Sequence, residues 1–192
     1  MNERTDTKTA ILETALDLFA LRGFESVGTQ EIVDKAGVSK PMLYHYFNHK
    51  RGLLDAIIAE YGGNFFHTIS QAAEYNHDIV FTLNAITRES VRFALANQAF
   101  FRLKMTLSVS APESETYAAY RPLREGMNQC FETLFIAASH DHGNMKGREK
   151  SYSESFQGML GVWSLLFLNK ELELSDETLK RAVHQFMHGI FS

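Results

Sequence analysis

The sequence predicts an all-α protein of about nine helices. Apolar residues recur three and four positions apart in one segment after another. Only three prolines occur in 192 residues, and no run alternates apolar and polar side chains as a half-buried strand does. A content of 45% hydrophobic and 22% charged residues is ordinary for a globular chain and excludes disordered, collagen-like or low-complexity classes.

In chain order, Ile11, Leu12, Ala15, Leu18 and Phe19 give the first helix, which ends at Arg22 and Gly23. Residues 29–47 form two short helical pieces around Gly37. A longer helix begins near Lys50 and carries Leu53, Leu54, Ile57, Ile58 and Tyr61, with Gly62-Gly63 expected to interrupt it as a fray, a restart or a soft point. Further stripes are Ile79, Leu83, Ile86 and Phe93, then Leu123, Met127, Phe131 and Leu134. Phe156, Met159, Leu160, Trp163 and Phe167 follow, and Leu179, Val183, Phe186, Met187 and Ile190 close the series. Ser175, followed by Asp176 and Glu177, suits the start of that last helix. Pro112 and Pro122 are expected to break or open helices, and His140 to Ser153 reads as a loop. There is no internal repeat.

Cys130 is the only cysteine, so an internal disulfide and cysteine-rich zinc sites are excluded, and a reducing, cytoplasmic setting is expected. The longest apolar stretches, such as Val162 to Leu168, fall short of the roughly 18 residues a membrane span needs. Met1 to Ala10 is polar with both charge signs, unlike a signal peptide.

The segment from Thr29 to Phe47 carries the chemistry. Thr29 is expected to cap its first helix, with Glu31 in the first turn. Gly37 stops and reverses that helix, as a residue without Cβ does at least strain. Ser39 caps the second helix and Pro41 sits in its first turn, where no needed hydrogen bond is lost. Ile32, Ala36, Val38, Leu43 and Phe47 form a small core between the two. Lys40, Pro41, Met42, Tyr44, His45 and Tyr46 remain exposed. Their cation, hydroxyls and apolar groups match the donors, acceptors and thymine methyls of a DNA major groove.

The net charge of −4 argues on its face against nucleic acid. Its distribution reverses that reading. No acidic residue lies between Asp34 and Asp55, while Lys35, Lys40, Lys50 and Arg51 do. The first 51 residues hold seven basic and seven acidic side chains, so the whole excess of acid falls after Arg51. Phosphate attraction decays over roughly 8–10 Å, which makes the local field decisive. Charge and periodicity alone fit a packed hairpin with a solvated face equally well.

Residues 8–55, including "RGFESVGTQEIVDKAGVSKPMLYHYFNHKRGLL", resemble the DNA-binding domain of the tetracycline-repressor (TetR) family. The run Gly37-Val38-Ser39, followed by Leu43-Tyr44, Tyr46-Phe47, Lys50 and Leu53-Leu54, carries the resemblance. It implies that Thr29 and Gln30 approach the DNA backbone and a groove edge. Lys40, Pro41, Met42 and Tyr46 would face bases, while Tyr44 and Lys50 hold phosphates. Ser39 and His45 complete the candidate contacts. Met42 stands where a small or polar residue is more usual, and His45 where an aromatic is common; both bear on which operator is read.

The resemblance further implies a helix-turn-helix domain over residues 1–51 and a ligand-binding, dimerising helical domain over 52–192. It implies a homodimer on a palindromic double-stranded operator, most often a repressor released by a small-molecule effector; an activator or a ligand-independent regulator is the alternative. Phe66, Phe93, Phe100, Met105, Tyr120, Met127 and Phe131 are the candidate pocket residues, with Arg92, Arg102 or Tyr117 as polar points, although adaptable side chains of this kind also fill ordinary cores. Phe156, Gly161, Trp163, Val183, Phe186, Met187 and Ile190 are the candidate dimer interface, or else plain core stripes.

His140, Asp141 and His142, and separately His184 and His188, have chelating spacings but need further ligands, so solvated histidines are expected and no metal or cofactor is assigned. No phosphate-cradling glycine loop, nucleophile elbow or metalloprotease motif occurs, and Cys130 lies on an apolar stripe. An enzyme is not expected. A helical adaptor without DNA binding is the remaining rival.

Overall fold

The computed structural model describes residues 3–189, with side chains from residue 7 onward. Ten α-helical segments follow one another: α1 (Glu3–Arg22), α2 (Thr29–Ala36), α3 (Lys40–Phe47), α4 (Lys50–Ile57), α5 (Gly63–Ala72), α6 (Ile79–Ala96), α7 (Gln98–Ser108), α8 (Glu115–Asp141), α9 (Glu149–Leu168) and α10 (Asp176–His188). A π-helical turn, Ile58–Gly62, joins α4 to α5 without a non-helical residue. Counted that way, there are nine helices and no strand among the described residues.

The chain divides into two compact units, Met1–Gly63 with Ala99–Leu123, and Asn64–Gln98 with Arg124–Ser192. In the first, α1 supplies the centre: Ile11, Ala15, Leu18 and Phe19 are buried against Ile32 and Val33 of α2, Leu43 and Phe47 of α3, and Leu53, Leu54 and Ile57 of α4. Phe24 closes one end, its ring edge-on to Phe19 at 5.1 Å. The second unit is built around aromatics, with Phe131, Phe135 and Phe156 essentially solvent-free and Phe186 packed beside them. Ser175 caps α10 with its hydroxyl, which accepts from the Thr178 N–H at 3.1 Å, as the sequence leads one to expect.

Three local expectations are corrected and a fourth is made specific. Thr29 is not a cap: Gly28 takes the cap position of α2 and Thr29 is its first residue. Pro122 lies inside α8, where the burial of Tyr120, Leu123 and Met127 along the same helix outweighs one lost backbone bond. The expected loop from His140 to Ser153 shrinks at both ends, since α8 runs to Asp141 and α9 begins at Glu149. At Gly62-Gly63 the chain stays helical but changes winding, the π turn ending on Gly62 and α5 restarting at Gly63. Gly62 is buried, and a Cβ there would stand 2.8 Å from Leu123 Cδ2, so glycine serves a close approach inside the first unit. One helix escaped the periodicity altogether: α7, whose Phe100, Phe101, Leu103 and Leu107 are buried.

Candidate nucleic-acid interface

The turn between α2 and α3 is built by backbone rather than by side chains. Gly37 adopts φ 69°, ψ 30°, the left-handed conformation that ends a helix cheaply only for glycine. Its N–H and that of Val38 turn back to Asp34 and Val33 carbonyls. Ser39 then occupies the cap position of α3 in extended conformation, with Pro41 in the first turn. The Ser39 hydroxyl makes no capping bond.

Leu43 and Phe47 face inward with 0% and 4% exposure, which fixes the outward face of α3. Lys40, Pro41, Met42, Tyr44 and His45 are exposed along it, while Tyr46 is half-buried with its ring edge-on to His45 at 5.3 Å. On α2, Thr29 is half-buried and Gln30 is exposed, the Gln30 amide donating to Asp34 Oδ1 at 2.8 Å. Arg22 pairs with Glu31, tying the end of α1 to the start of α2.

At the junction of α3 and α4 the two backbones approach closely. A Cβ on Gly52 would lie 2.2 Å from the Phe47 carbonyl oxygen. The Gly52 N–H donates to His49 Nδ1 at 2.9 Å, so His49 is the cap of α4 and its Nδ1 acts as acceptor. Lys50 Nζ sits 4.1 Å above the Phe24 ring, a cation–π contact that holds the ammonium at the start of α4. Arg51 donates from Nε to Asp55 Oδ1 and from Nη1 to the Glu115 carbonyl, each at 2.8 Å. The sequence pointed to Lys50 and Arg51 through charge alone. It gave no sign of the His49 cap, because histidine is not a usual cap residue, nor of the Arg51 bond, whose acceptor is a backbone group 64 residues away.

The pocket candidates are spread over both units. Phe100, Met105 and Tyr120 belong to the first, where Phe100 stacks on Tyr61 at 5.7 Å. Phe66, Phe93, Met127 and Phe131 belong to the second. Phe131 and Met127 are core there, and Phe93 packs against Phe65 at 5.0 Å. Phe66 lines an open cleft of about 530 Å³ between α5 and α8. Of the polar points, Arg92 is paired with Glu89.

Among the interface candidates, Phe156 and Val183 are 0% and 1% exposed within the chain's own core, so neither side chain is free to meet a partner. Gly161 is buried, Trp163 and Phe186 are half-buried, Met187 is exposed, and Ile190 lies outside the described residues. Val162, 54% exposed on α9, is an apolar side chain that does remain open. Among the described residues no three His, Cys, Asp or Glu side chains gather as a metal site. Asp141 instead accepts hydrogen bonds from Tyr75 and His77, which hold its carboxyl below the usual range. No helix of the described residues is long and apolar enough to cross a membrane.

Residues 11–57 match the model of a family described as "Bacterial regulatory proteins, tetR family". The chain is 33% identical over 186 residues to the HTH-type transcriptional activator FasR of Mycolicibacterium smegmatis, covering 97% of this chain and 83% of that one. Its fold resembles that of a Clostridium perfringens putative fatty acid metabolism regulator, with a TM-score of 0.78 and 20% identity over 94% of this chain and 98% of that one. It also resembles the transcriptional regulator FadR from Bacillus subtilis, solved in complex with stearoyl-CoA, with a TM-score of 0.77 and 14% identity over 95% and 98%.

Proposed function

Since the chain belongs to the TetR family of bacterial regulatory proteins, we propose that it is a cytoplasmic, homodimeric, effector-responsive transcription regulator, with residues 1–51 reading DNA and 52–192 sensing and dimerising. The observation that carries this reading is the exposed face of α3. There Lys40, Pro41, Met42, Tyr44 and His45 stand out from a helix anchored by Leu43 and Phe47, in a stretch free of acidic residues.

Lys40, Pro41, Met42 and Tyr46 meet base edges; Thr29, Gln30, Ser39 and His45 flank them; Tyr44 and Lys50 bind phosphates. A dimer reads two half-sites about one helical turn apart. On α9 and α10 the exposed Val162 and Met187, with the half-buried Trp163, are the proposed contacts between copies. The effector is a small molecule with an apolar body. Effector and DNA need only prefer different conformations for binding of one to weaken the other. The chain has no catalytic step in this account.

Repression by operator occupancy is the primary reading. Activation is the second, favoured by the name of the FasR relative. Selecting genomic fragments on the purified protein, footprinting them, and transcribing them in vitro tests both. A palindromic footprint with reduced transcript supports repression, and increased transcript supports activation. Absence of any protected fragment at low salt would leave the adaptor reading.

A further inference from the structure

The cleft between α5 and α8 has walls and polar points of its own. Phe66 closes one end, its ring 3.4 Å from where a Gly126 Cβ would stand, so the ring lies against bare α8 backbone. Leu134 and Ala137 continue the apolar wall, and Thr133 and Ser70, whose hydroxyl donates to the His67 carbonyl, line it from the two helices. A volume of about 530 Å³ falls in the range typical of small-molecule sites.

Its charge is one-sided. Glu74 is the only formally charged side chain on the lining, with no lysine or arginine beside it. Asp141 stands just beyond, its Oδ2 accepting from the Tyr75 hydroxyl and from His77 Nδ1, each at 2.8 Å. That bond fixes the Tyr75 ring at the rim. Burial and the neighbouring carboxylate push the Tyr75 phenol up to about 12, so it stays neutral there. An anionic head entering the cleft would meet the Glu74 carboxylate and no lysine or arginine on the lining, whereas a hydroxyl or an ammonium would find an acceptor.

We propose that this cleft binds a small molecule with an apolar body and an uncharged or cationic head, Glu74 selecting against anionic heads. The inference rests on reading the helical half as a sensor, but its test does not pass through DNA. Cys130 lines the cleft and is the only cysteine, so its alkylation by N-ethylmaleimide reports occupancy in the full chain. Dodecylamine, dodecanol and dodecanoate share one apolar body and differ in the head; stearoyl-CoA is a second anionic comparator.

Dodecylamine and dodecanol are expected to slow alkylation and, by calorimetry, to bind at least about tenfold more tightly than dodecanoate. Glu74→Gln should raise dodecanoate to the level of dodecanol and remove any advantage of the amine. Thr133→Phe, at an exposed position that fills the cleft, should abolish protection by every probe. Equal binding of dodecanoate, protection by stearoyl-CoA as strong as by the amine, or no binding of any probe would overturn the proposal. Operator retardation by the same preparation is read separately, so a chain that binds no DNA sinks the regulatory reading without touching this one.

Discussion

Between Phe47 and Gly52 there is no room for a single methyl group, whereas around Phe156 the rings of Phe131, Phe135 and Phe186 meet at 5.7, 6.2 and 5.1 Å in ordinary tilted or edge-on contacts. The first region is specified by backbone geometry, and the second by volume. A core made of large apolar rings accepts substitutes of similar size, because interlocking shape refines packing rather than creating it. A helix junction held by one glycine accepts none. The first unit therefore writes its constraints at this junction into particular residues, and the second unit writes those around Phe156 into residue classes.

Gly52→Ala is the largest break of that comparison. The added Cβ meets a backbone carbonyl, which no side-chain rotation relieves, so α3 and α4 must separate. A loss of about 2–3 kcal/mol in urea unfolding is expected, with operator affinity falling alongside. Phe156→Met should cost less, about 1.5 kcal/mol, although it removes a whole ring. If the methyl group proves cheaper than the ring, the contrast between the two regions does not hold.

Gly37→Ala sharpens the same point, since here space is not the issue. Nothing lies within 4 Å of the position a Cβ would take, but φ is 69°. The expected loss is about 1–2 kcal/mol, the usual penalty for a left-handed residue with a side chain. Gly37→Asn, which tolerates that conformation better, should recover part of it. An alanine variant as stable as the parent would mean that the turn relaxes to another shape.

These constraints explain what was legible. Gly37, Ser39 and Pro41 have fixed meanings at a helix–turn–helix, so α2 and α3 could be placed to within a residue, although the first cap fell on Gly28 and the Ser39 hydroxyl makes no capping bond. The charge pattern around it is a sequence property and survives folding unchanged. Pro122 misled because the usual preference of proline was overridden by buried neighbours along the same helix, while Gly62 marks a change of winding and admits Leu123. Phe156 and Val183 had the spacing of an interface, but periodicity tells which residues share a face and not whether the partner is the chain itself. The acceptor of Arg51 and the clasp of Tyr75, His77 and Asp141 join residues more than 60 positions apart, which no local pattern reveals.

Lys104 offers a smaller test, within the first unit but outside α2 and α3. Burial lowers its ammonium to about 8, and the Phe101 ring lies 5.1 Å from Nζ. A lysine depressed on folding binds more protons when unfolded between pH 8 and its ordinary value near 10.5. Stability should therefore rise with pH across that window. Lys104→Met should flatten this rise and raise the melting temperature at pH 7 relative to the parent. A parent whose melting temperature falls steadily from pH 8 to 10, with no difference in the variant, would contradict the assignment.

Lys50 separates the roles of position and fold most finely. Its cation–π contact with Phe24 is partly exposed, so Lys50→Ala should change stability by only about 0.5–1 kcal/mol. On DNA the effect has a different signature. A phosphate contact carries no sequence information, so its loss weakens all sequences about equally and reduces the slope of log affinity against log salt by roughly 1. Met42→Ala is the counterpart, since an apolar group on the groove face should alter base preference at one position and leave the salt slope alone. Titrations of both variants at several salt concentrations, on the selected operator and on a scrambled duplex, distinguish the two roles. If Lys50→Ala shifted base preference and Met42→Ala shifted the slope, the outward face of α3 would be turned away from the groove, and the reading head would have to dock through the start of α4.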